Sequence, residues 1–447
     1  MGFDEVDPLA RVEKVLEERF PTRMVPDLDR IVDPLGLLGD PQLNFPSIHI
    51  TGTNGKTSTA RMIDALLREL GLRTGRYTSP HLESVTERIC VDGEPLSDER
   101  FAEVYDEVAP FAEIVDARHA ERVTFFELLT AMGFAAFADA PVDAAVVEVG
   151  LGGRWDATNV VNAPVSVVLP ISLDHVGILG PTVDAIAAEK AGLIHEGATV
   201  ICAIQPEDAV RVLVERAATV GATILAEGLT FGVRTRSVAV GGQLLELQGL
   251  AGVYDEIFLP LHGAHQAGNA ACALAAVEAF VGAADREPLD ADLVRAAFAK
   301  VSSPGRLEVL RRNPTVMIDG AHNPAGAAAL AAALQDAFTF DQLVAVVAIL
   351  DDKDAAGVLA ELEPVVTSIV ATTNSSPRAV PATALAEVAR DVFGPDRVEV
   401  RERLDDAIDL ALATAESDAA LGGAGVIVTG SIVTAGEARH LLRGPGR

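Results

Sequence analysis

Apolar runs of strand length recur along the first half of the chain, with helical patterns between them. The clearest of these runs cover 46–51, 143–149, 165–171 and 199–204. They are nearly continuous rather than alternating, as expected of strands buried on both faces of a parallel sheet. Helical periodicity is found at 58–70, 98–117, 124–138 and 182–193. The pattern therefore predicts an α/β domain built on a parallel sheet.

Two later changes of pattern predict the domain organisation. Short β-like pieces with glycines over 230–261 predict a small antiparallel insertion, and an alanine-rich helix follows at 265–282. The stretch 300–306 (KVSSPGR) has the Ser, Pro and Gly content of a linker. Beyond it, alternating strands and helices resume, with strands predicted at 315–319, 342–349, 365–371, 397–401 and 424–429.

We therefore expect an α/β protein of two domains, residues 1–302 and 303–447. The first would be a P-loop-type parallel-sheet domain with the antiparallel insertion. The second would be a Rossmann-like α/β domain. A chain of 447 residues is long enough for two or three domains.

Composition and charge narrow the classes of partner. The chain has 65 acidic against 35 basic residues, a formal net charge of -30. Such a surface repels phosphate backbones and anionic lipid, so we expect no general nucleic-acid or membrane partner. The three cysteines (90, 202 and 272) are far apart, the first residues lack an apolar signal region, and no apolar tract reaches membrane length. These features predict a cytoplasmic protein.

The strongest candidate for chemistry is the segment Thr51-Gly52-Thr53-Asn54-Gly55-Lys56-Thr57-Ser58. It lies between a predicted strand and a predicted helix, where backbone N–H groups and the positive helix end attract an anion. Lys56 would add a charge for terminal phosphates, and Thr57 or Ser58 could approach a magnesium ion. The spacing differs from the full GxxxxGK[ST] because residue 50 is Ile. The alternative is an ordinary helix-capping turn that contains a lysine.

Polar side chains also follow other predicted strands. Glu148 ends one strand and is followed by the glycine-rich segment 150–153, and Asp174-His175 follows another. Ligands of open parallel sheets bind beyond the carboxyl ends of strands, where these side chains could hold a hard cation. Asp319–Pro324 (DGAHNP) has the same placement in the second domain. Strand-end capping remains the alternative at each position. A dinucleotide fingerprint is rejected, since GxGxxG would need glycine where Trp155 stands.

Several segments together resemble the folylpolyglutamate synthase/dihydrofolate synthase family, within the Mur-ligase-type ATP-dependent amide ligases. The resemblance extends from about residue 10 to 440. Its motifs are TGTNGKTS, YTSPHLESVTERI, VVEVGLGGRWDATN, SLDHVGILG, AAEKAG, HQAGN, PGRLEVL, DGAHNPAG, DDKD and TGSIVTAGEAR. Two positions depart from the family pattern: Thr57 stands where the folate enzymes usually have glycine, and Trp155 replaces a commoner aliphatic residue.

The resemblance implies a set of nucleotide and metal contacts. The loop Gly52–Ser58 with Lys56 would hold the ATP phosphates. Arg306 would contact the terminal phosphate, Asn269 the adenine and Asp319 the ribose. Two Mg²⁺ ions are implied, with metal ligands at Ser79, Glu148 and His175. Lys190 matches the lysine that the family carries as a carbamate beside the second metal, although a surface lysine on an amphipathic helix is the alternative.

The resemblance also implies substrate contacts. Phe126 and Asp156 match pterin-contacting positions, and His322 and Ser431 match positions at the incoming glutamate. Phe126 could instead be a core residue, and Ser431 could cap the last helix. The implied catalytic residues are Lys56, Lys190, His175 and Arg306.

The implied reaction joins L-glutamate to the carboxylate of a folate or of dihydropteroate, with ATP as co-substrate and an acyl phosphate as intermediate. We expect a monomer. The alternatives are another Mur-ligase-type amino-acid ligase that acts on a non-folate carboxylate, supported by Thr57, and a non-catalytic ATP-binding protein.

Overall fold

The computed structural model describes residues 7–21, 25–283, 287–418 and 423–443. The strands in these ranges form three sheets. None of the helices found there is long and apolar enough to cross a membrane. The two larger sheets lie on either side of the predicted boundary near 303, and the boundary itself stays a prediction.

An eight-stranded sheet forms the centre of the N-terminal part. Its strands are β1 (Ser47–Thr51), β2 (Thr74–Tyr77), β3 (Ile89–Val91), β4 (Glu94–Pro95), β5 (Ala144–Glu148), β6 (Val165–Val168), β7 (Thr199–Cys202) and β8 (Thr223–Ala226). The order is β4-β3-β2-β5-β1-β6-β7-β8. Pairing is parallel from β2 to β8 and antiparallel at the β3–β4 edge. The predicted parallel sheet is confirmed.

The strand β1 lies in the middle of this sheet, between β5 and β6. Ile50 of β1 is opposite Glu148 of β5, and Thr51 is opposite Val168 of β6. The three strands therefore end at the same level, and the segments that follow them meet at one edge. This register brings the predicted phosphate loop next to Glu148.

The strand β2 was not predicted, although it lies inside the sheet and all four of its residues are buried. Its sequence, Thr-Gly-Arg-Tyr, has no apolar run. Arg76 is buried because its guanidinium pairs with the buried carboxylate of Asp64, at 3.0 Å. A buried charge pair of this kind removes the hydrophobic pattern by which a strand is recognised.

Helices cover both faces of the sheets. They are α1 (Pro8–Glu17), α2 (Asp29–Leu37), α3 (Lys56–Glu69), α4 (Asp98–Asp116), α5 (Phe125–Asp139), α6 (Val176–Leu179), α7 (Val183–Lys190), α8 (Glu207–Val220), α9 (Ala264–Val281), α10 (Ala291–Ala299), α11 (Pro324–Ala337), α12 (Ala355–Leu362), α13 (Ala382–Phe393), α14 (Leu404–Asp418) and α15 (Ile432–Arg443). One core of the first sheet contains α3, α9 and α10, and the core on the opposite face contains α1, α2, α4 and α5.

The predicted antiparallel insertion is present as a three-stranded sheet. Its strands are β9 (Gly232–Ala239), β10 (Gly242–Gln248) and β11 (Val253–Leu259). The hydroxyl of Tyr254 on β11 donates to Glu278 of α9 at 2.7 Å. This buried contact and shared apolar residues join the insertion to the core of the first sheet.

The C-terminal sheet has six strands. They are β12 (Glu308–Arg312), β13 (Thr315–Ile318), β14 (Gln342–Val347), β15 (Ser368–Ala371), β16 (Val398–Val400) and β17 (Ala424–Thr429). The order is β12-β13-β17-β14-β15-β16, and only the edge strand β12 is antiparallel to its neighbour. Apolar cores lie on both faces. The predicted second α/β domain architecture is confirmed.

Candidate active site

Two glycines shape the loop between β1 and α3. Gly52 has φ 146°, and a Cβ there would lie 2.6 Å from Cβ of Leu169. Gly55 has φ 89°, and a Cβ there would lie 2.6 Å from Oδ1 of Asn269. Both positions therefore favour glycine. Gly55 is the N-cap of α3 and supplies no side-chain cap, so the first N–H groups of α3 remain available to an anion.

Two lysines meet at one carbonyl of this loop. Lys56 donates to the oxygens of Gly52 at 3.1 Å and Thr53 at 3.0 Å, and Lys190 donates to the oxygen of Gly52 at 2.8 Å. In the part of the chain that the structure describes, lysine ion pairs are made by Lys300 and Lys353 and not by these two.

The pKa values of these two lysines reflect the same environment. Burial lowers the pKa of Lys56, although the charges of Glu148 and Asp174 partly oppose it. Burial and the charge of Lys56 lower the pKa of Lys190 to about 7. Cations removed from water are normally paired, so the half-buried Lys56 and the buried Lys190, which make no ion pair and lie beside a helix N-terminus, form a site for an anion.

Glu148 is hydrogen-bonded to two other candidate metal-binding residues of the first domain. The hydroxyl of Thr57 donates to both of its oxygens, at 2.9 and 3.0 Å, and the amide of Ser79 donates at 3.3 Å. Burial raises the pKa of Glu148, whereas the charge of Lys56 and these hydrogen bonds lower it. A carboxylate and two nearby hydroxyl residues form an oxygen donor set that suits a hard cation.

Asp174 connects the first domain to the second. Lys353 donates to it at 2.7 Å, Asn323 at 2.9 Å, and the ring of His322 lies 3.5 Å away. Burial raises the pKa of Asp174, but the hydrogen bond with His322 and the charges of His175 and Lys353 outweigh it and hold the pKa well below its usual range. Asp174 is therefore a buried carboxylate whose partners come mainly from the second domain.

His175 takes part in the same cluster. Lys353 lies 3.2 Å from its Nε2, and because an ammonium can only donate, Nε2 is the acceptor. Burial lowers the pKa of His175 to about 4, and Lys353 adds to this while Asp174 opposes it. The backbone of His175 is in the left-handed region, with φ 50°, at the N-cap of α6. Within the described ranges no group of three His, Cys, Asp or Glu side chains is placed to hold a metal, so the ligand set Ser79, Glu148 and His175 stays a prediction.

The loop around Asn54 also contacts the second domain. The side-chain amides of Asn54 and Asn323 exchange two hydrogen bonds, at 3.0 and 3.2 Å. Asn323 is also the N-cap of α11, where its oxygen accepts from the amide of Gly326. The phosphate loop is thereby hydrogen-bonded directly to the N-cap residue of a helix in the second domain.

Arg306 and Asp319 lie at the start of the second domain. The guanidinium of Arg306 contacts the oxygen of Gly305 at 3.3 Å and packs against Gly320. Asp319 accepts the amides of Leu307 and Ala321, both at 2.8 Å. Burial raises the pKa of Asp319, and the charge of Arg306 opposes it. Arg306 is thus a third cation near Lys56 that forms no ion pair with the described residues.

The remaining predicted positions have contacts within the protein. Asn269 packs on Gly55 and donates to Gln266, which donates to Ser58. Ser431 accepts a hydrogen bond from the amide of Thr434 at 3.0 Å and so caps α15. This is the capping role that the sequence offered as the alternative to glutamate binding. Nδ1 of His322 lies 2.9 Å from the oxygen of Gly320.

The two predicted pterin contacts, Phe126 and Asp156, lie on either side of the glycine-rich segment. Phe126 packs on Gly150 and lies 6.0 Å from the ring of Tyr77. Asp156 accepts the amide of Leu151 at 2.8 Å and both the amide and the hydroxyl of Thr158. Burial raises the pKa of Asp156, and these bonds lower it. Asp156 therefore fixes the turn that follows β5, and its contact with a substrate stays a prediction.

Lys353 was not among the predicted site residues. Asp174 was predicted only as a strand-end side chain that could hold a cation, and Asn323 only as part of the DGAHNP segment, so their contacts between the domains were not predicted. A signal was present in the sequence, since Lys353 is one of only five lysines and lies in the motif DDKD. Its partner could not be found, because Asp174 lies 179 positions away.

The fold and this site define a class of protein: a two-domain α/β nucleotide-dependent ligase whose phosphate loop faces a second α/β domain. The family model for the Mur ligase middle domain matches residues 50–277, and the model for the Mur ligase glutamate ligase domain matches residues 305–432. The chain belongs to the folylpolyglutamate synthase/dihydrofolate synthase family of the Mur ligases.

Similar proteins cover nearly the whole chain. The dihydrofolate synthase/folylpolyglutamate synthase of Mycobacterium tuberculosis is 52% identical, over 98% of this chain and 95% of its own length. A structure of the Mycobacterium tuberculosis folylpolyglutamate synthase complexed with ADP has a TM-score of 0.95 and 52% identity, over 99% of this chain and all of that chain. The Escherichia coli FolC in complex with DHPP and ADP has a TM-score of 0.84 and 30% identity, over 98% of both chains.

Proposed function

We propose that the chain joins L-glutamate to the carboxylate of a folate-type substrate, either a folate or dihydropteroate, and converts ATP to ADP and phosphate. The observation that carries this proposal is a pair of neighbouring cations, Lys56 and Arg306, that form no ion pair with the described residues of a protein with a net charge of -30. A triphosphate would supply the missing negative charge. The family and the ADP complexes of its relatives support the same ligand.

The first half-reaction makes the carboxylate reactive. A carboxylate oxygen attacks the γ-phosphorus of ATP, the bond to the bridging oxygen breaks, and ADP leaves. Lys56, Arg306 and the N–H groups at the start of α3 would stabilise the charge on the transferred group. In the second half-reaction the neutral amine of glutamate attacks the acyl phosphate, phosphate leaves and the amine loses a proton.

The residues around Glu148 fit a magnesium ion. Glu148, Thr57 and Ser79 offer oxygen donors, and His175 would join them if its Nε2 exchanged the hydrogen bond from Lys353 for the metal. Bound Mg²⁺, in two ions as implied by the family, would supply positive charge for the phosphates. Within this set the protein itself orients Glu148 through the hydroxyl of Thr57 and the amide of Ser79.

Lys190 fits a carbamate. Its pKa of about 7 leaves a large neutral fraction at neutral pH, and a neutral amine is the form that adds CO₂. The product would be an anionic oxygen donor in place of an unpaired cation beside Gly52. This change would remove a like charge from the neighbourhood of Lys56.

His322 and Ser431 would bind the incoming glutamate, and Asn269 and Asp319 the adenosine. Phe126 and Asp156 would contact the pterin. Because the phosphate loop and the Asp319–Asn323 segment belong to different domains, closure of the domains would exclude water from the acyl phosphate. The contacts Asn54–Asn323 and Asp174–Lys353 support a closed arrangement of this kind.

We further propose a cytoplasmic monomer. The three cysteines are buried and free, which suits a reducing compartment.

A substrate panel tests the proposal. Purified protein is incubated with ATP, Mg²⁺ and L-glutamate, and in turn with dihydropteroate, tetrahydrofolate or a UDP-muramyl peptide. We expect ADP, phosphate and a product one glutamyl unit heavier with a pteridine substrate. Turnover with the muramyl peptide alone would favour the non-folate ligase, and ATP binding without any turnover would favour the non-catalytic alternative.

A further inference from the structure

Arg61 on α3 has a guanidinium without a hydrogen-bond or ion-pair partner in the described residues. It lies one turn after Thr57, and it is half-buried. None of its nitrogens belongs to the buried polar atoms that lack a partner, so each of them remains accessible to a ligand. The arginines nearby are occupied. Arg68 and Arg76 pair with Asp64, and Arg88 donates to His81.

The geometry of α3 places Arg61 at the junction of the two domains. The hydroxyl of Ser58 lies 2.9 Å from that of Ser303, so this face of α3 contacts the linker. Residues three apart on a helix share a face, so Arg61 follows Ser58 along the surface that faces the start of the second domain. Burial and the charges of Arg76 and Arg306 lower the pKa of Arg61 to about 10, which still leaves it protonated at neutral pH.

The charge of Glu87 acts on the pKa of Arg61, but the two side chains form no ion pair. The two oxygens of Glu87 accept the amides of Leu82, Glu83 and Ser84, at 2.9 to 3.0 Å. Arg61 is therefore a further cation without an ion-pair partner among the described residues, on the helix that begins at Lys56 and close enough to Arg306 for that charge to act on its pKa. A ligand that reaches from the phosphate loop to Arg61 needs a second negative charge.

The substrates of the proposed reaction differ in whether they carry a second negative charge close to the reacting carboxylate. Dihydropteroate has one carboxylate, which is the one that reacts. A folate that already carries glutamate has a reacting carboxylate and also an α-carboxylate, separated from it by only the α-carbon and two methylenes. We propose that Arg61 binds this α-carboxylate and is a specificity residue for folates that already carry glutamate. This inference rests on the proposed function.

The test compares Arg61→Gln with Arg68→Gln, which removes the same charge from the same helix. Each variant is assayed with tetrahydrofolate and with dihydropteroate, the latter as substrate or, if it does not turn over, as competitive inhibitor. A lost charge-assisted hydrogen bond corresponds to a factor of about 10 to 100. We expect Arg61→Gln to raise the KM for tetrahydrofolate by about this factor, with little change in kcat, because the α-carboxylate does not react.

The other readouts make the inference falsifiable. We expect Arg61→Gln to leave the KM for ATP and the affinity for dihydropteroate unchanged, Arg68→Gln to change neither substrate selectively, and Arg61→Lys to recover part of the lost affinity. An equal loss for both pteridines, a raised KM for ATP, or an unchanged KM for tetrahydrofolate would overturn the assignment. A wild-type chain inactive with both pteridines would instead contradict the proposed function.

Discussion

Lys56 and Lys353 lie near the same edge of the first sheet, yet their surroundings differ. Lys353 comes from the second domain, has a side chain only 6% exposed, and pairs with Asp174 at 2.7 Å. Among the residues that the structure describes, Lys56 donates hydrogen bonds only to carbonyl oxygens. A buried ion pair that is already complete holds two parts of a protein together, whereas a cation without a partner is available to a ligand. The comparison predicts that Lys353 contributes mainly to domain association and Lys56 mainly to catalysis.

The largest effect on stability is expected for Lys353→Met. This change leaves the buried carboxylate of Asp174 without its cation, and breaking a buried pair in this way costs about 3–5 kcal/mol. Urea unfolding of the whole chain measures the loss. The double variant Lys353→Met/Asp174→Asn should recover part of it, because the unpaired charge is then gone. An additive loss in the double variant would show that the two residues are not coupled.

Lys56→Met should have the opposite effect, a large loss of ligation activity with no loss of stability. Loss of a cation that stabilises the transferred phosphoryl group lowers rates by about 10²- to 10³-fold. The free energy of unfolding should stay the same or rise, because a buried unpaired ammonium is removed. Steady-state ligation and urea unfolding are measured on the same preparation. Lys300→Met is the control, since Lys300 is exposed and paired with Glu69. Retained ligation in the Lys56 variant would contradict its assignment.

The third prediction concerns Lys190, which is unpaired like Lys56 but more deeply buried. Its pKa of about 7 is below the ordinary value for lysine, so between these two values the unfolded chain holds a proton that the folded chain has released. Stability then rises with pH, by about 2 kcal/mol between pH 7 and pH 9 from this group alone.

Lys190→Met should lose this pH dependence. In CO₂-free buffer, we expect the variant to be more stable than the wild type at pH 7, with a difference that shrinks toward pH 9. Urea unfolding at a series of pH values measures it. A difference that does not change with pH would show that the amine of Lys190 has an ordinary pKa in the folded chain.

The contrast between Lys56, in a loop that a local pattern identifies, and Lys353, which pairs with a distant residue, also explains which parts of the molecule could be predicted from the sequence. Buried parallel strands such as β5 and β14 are nearly continuous apolar runs, and the loop with Lys56 lies between a strand and a helix, so local patterns identify both. The strand β2 has no such pattern, because its Arg76 is buried with Asp64. The role of Lys353 could not be predicted from the sequence either. It depends on the carboxylate of Asp174, which is far away along the chain and is brought close only by the fold.

The smallest effect is expected at the contact between Asn54 of the phosphate loop and Asn323 of the second domain. Two neutral hydrogen bonds join these amides, and each such bond contributes about 0.5–1.5 kcal/mol. The two bonds together contribute about 1–3 kcal/mol. Because Asn54 is only half-buried, we expect Asn54→Ala to destabilise the chain by the lower end of this range, about 1 kcal/mol, which is less than the loss expected at Lys353. Asn323→Ala should cost more, since it also removes the N-cap of α11 and a partner of Asp174.

A double-mutant cycle between Asn54 and Asn323 isolates their contact from the other roles of Asn323. If the contact couples the phosphate loop to the second domain, the coupling energy of the Asn54–Asn323 cycle should change when ADP is bound. A cycle between Lys353 and Asp174 is the control, because neither of these residues belongs to the phosphate loop. Urea unfolding with and without ADP measures both cycles. A coupling energy of zero both with and without ADP would show that Asn54 does not contribute to the connection between the domains.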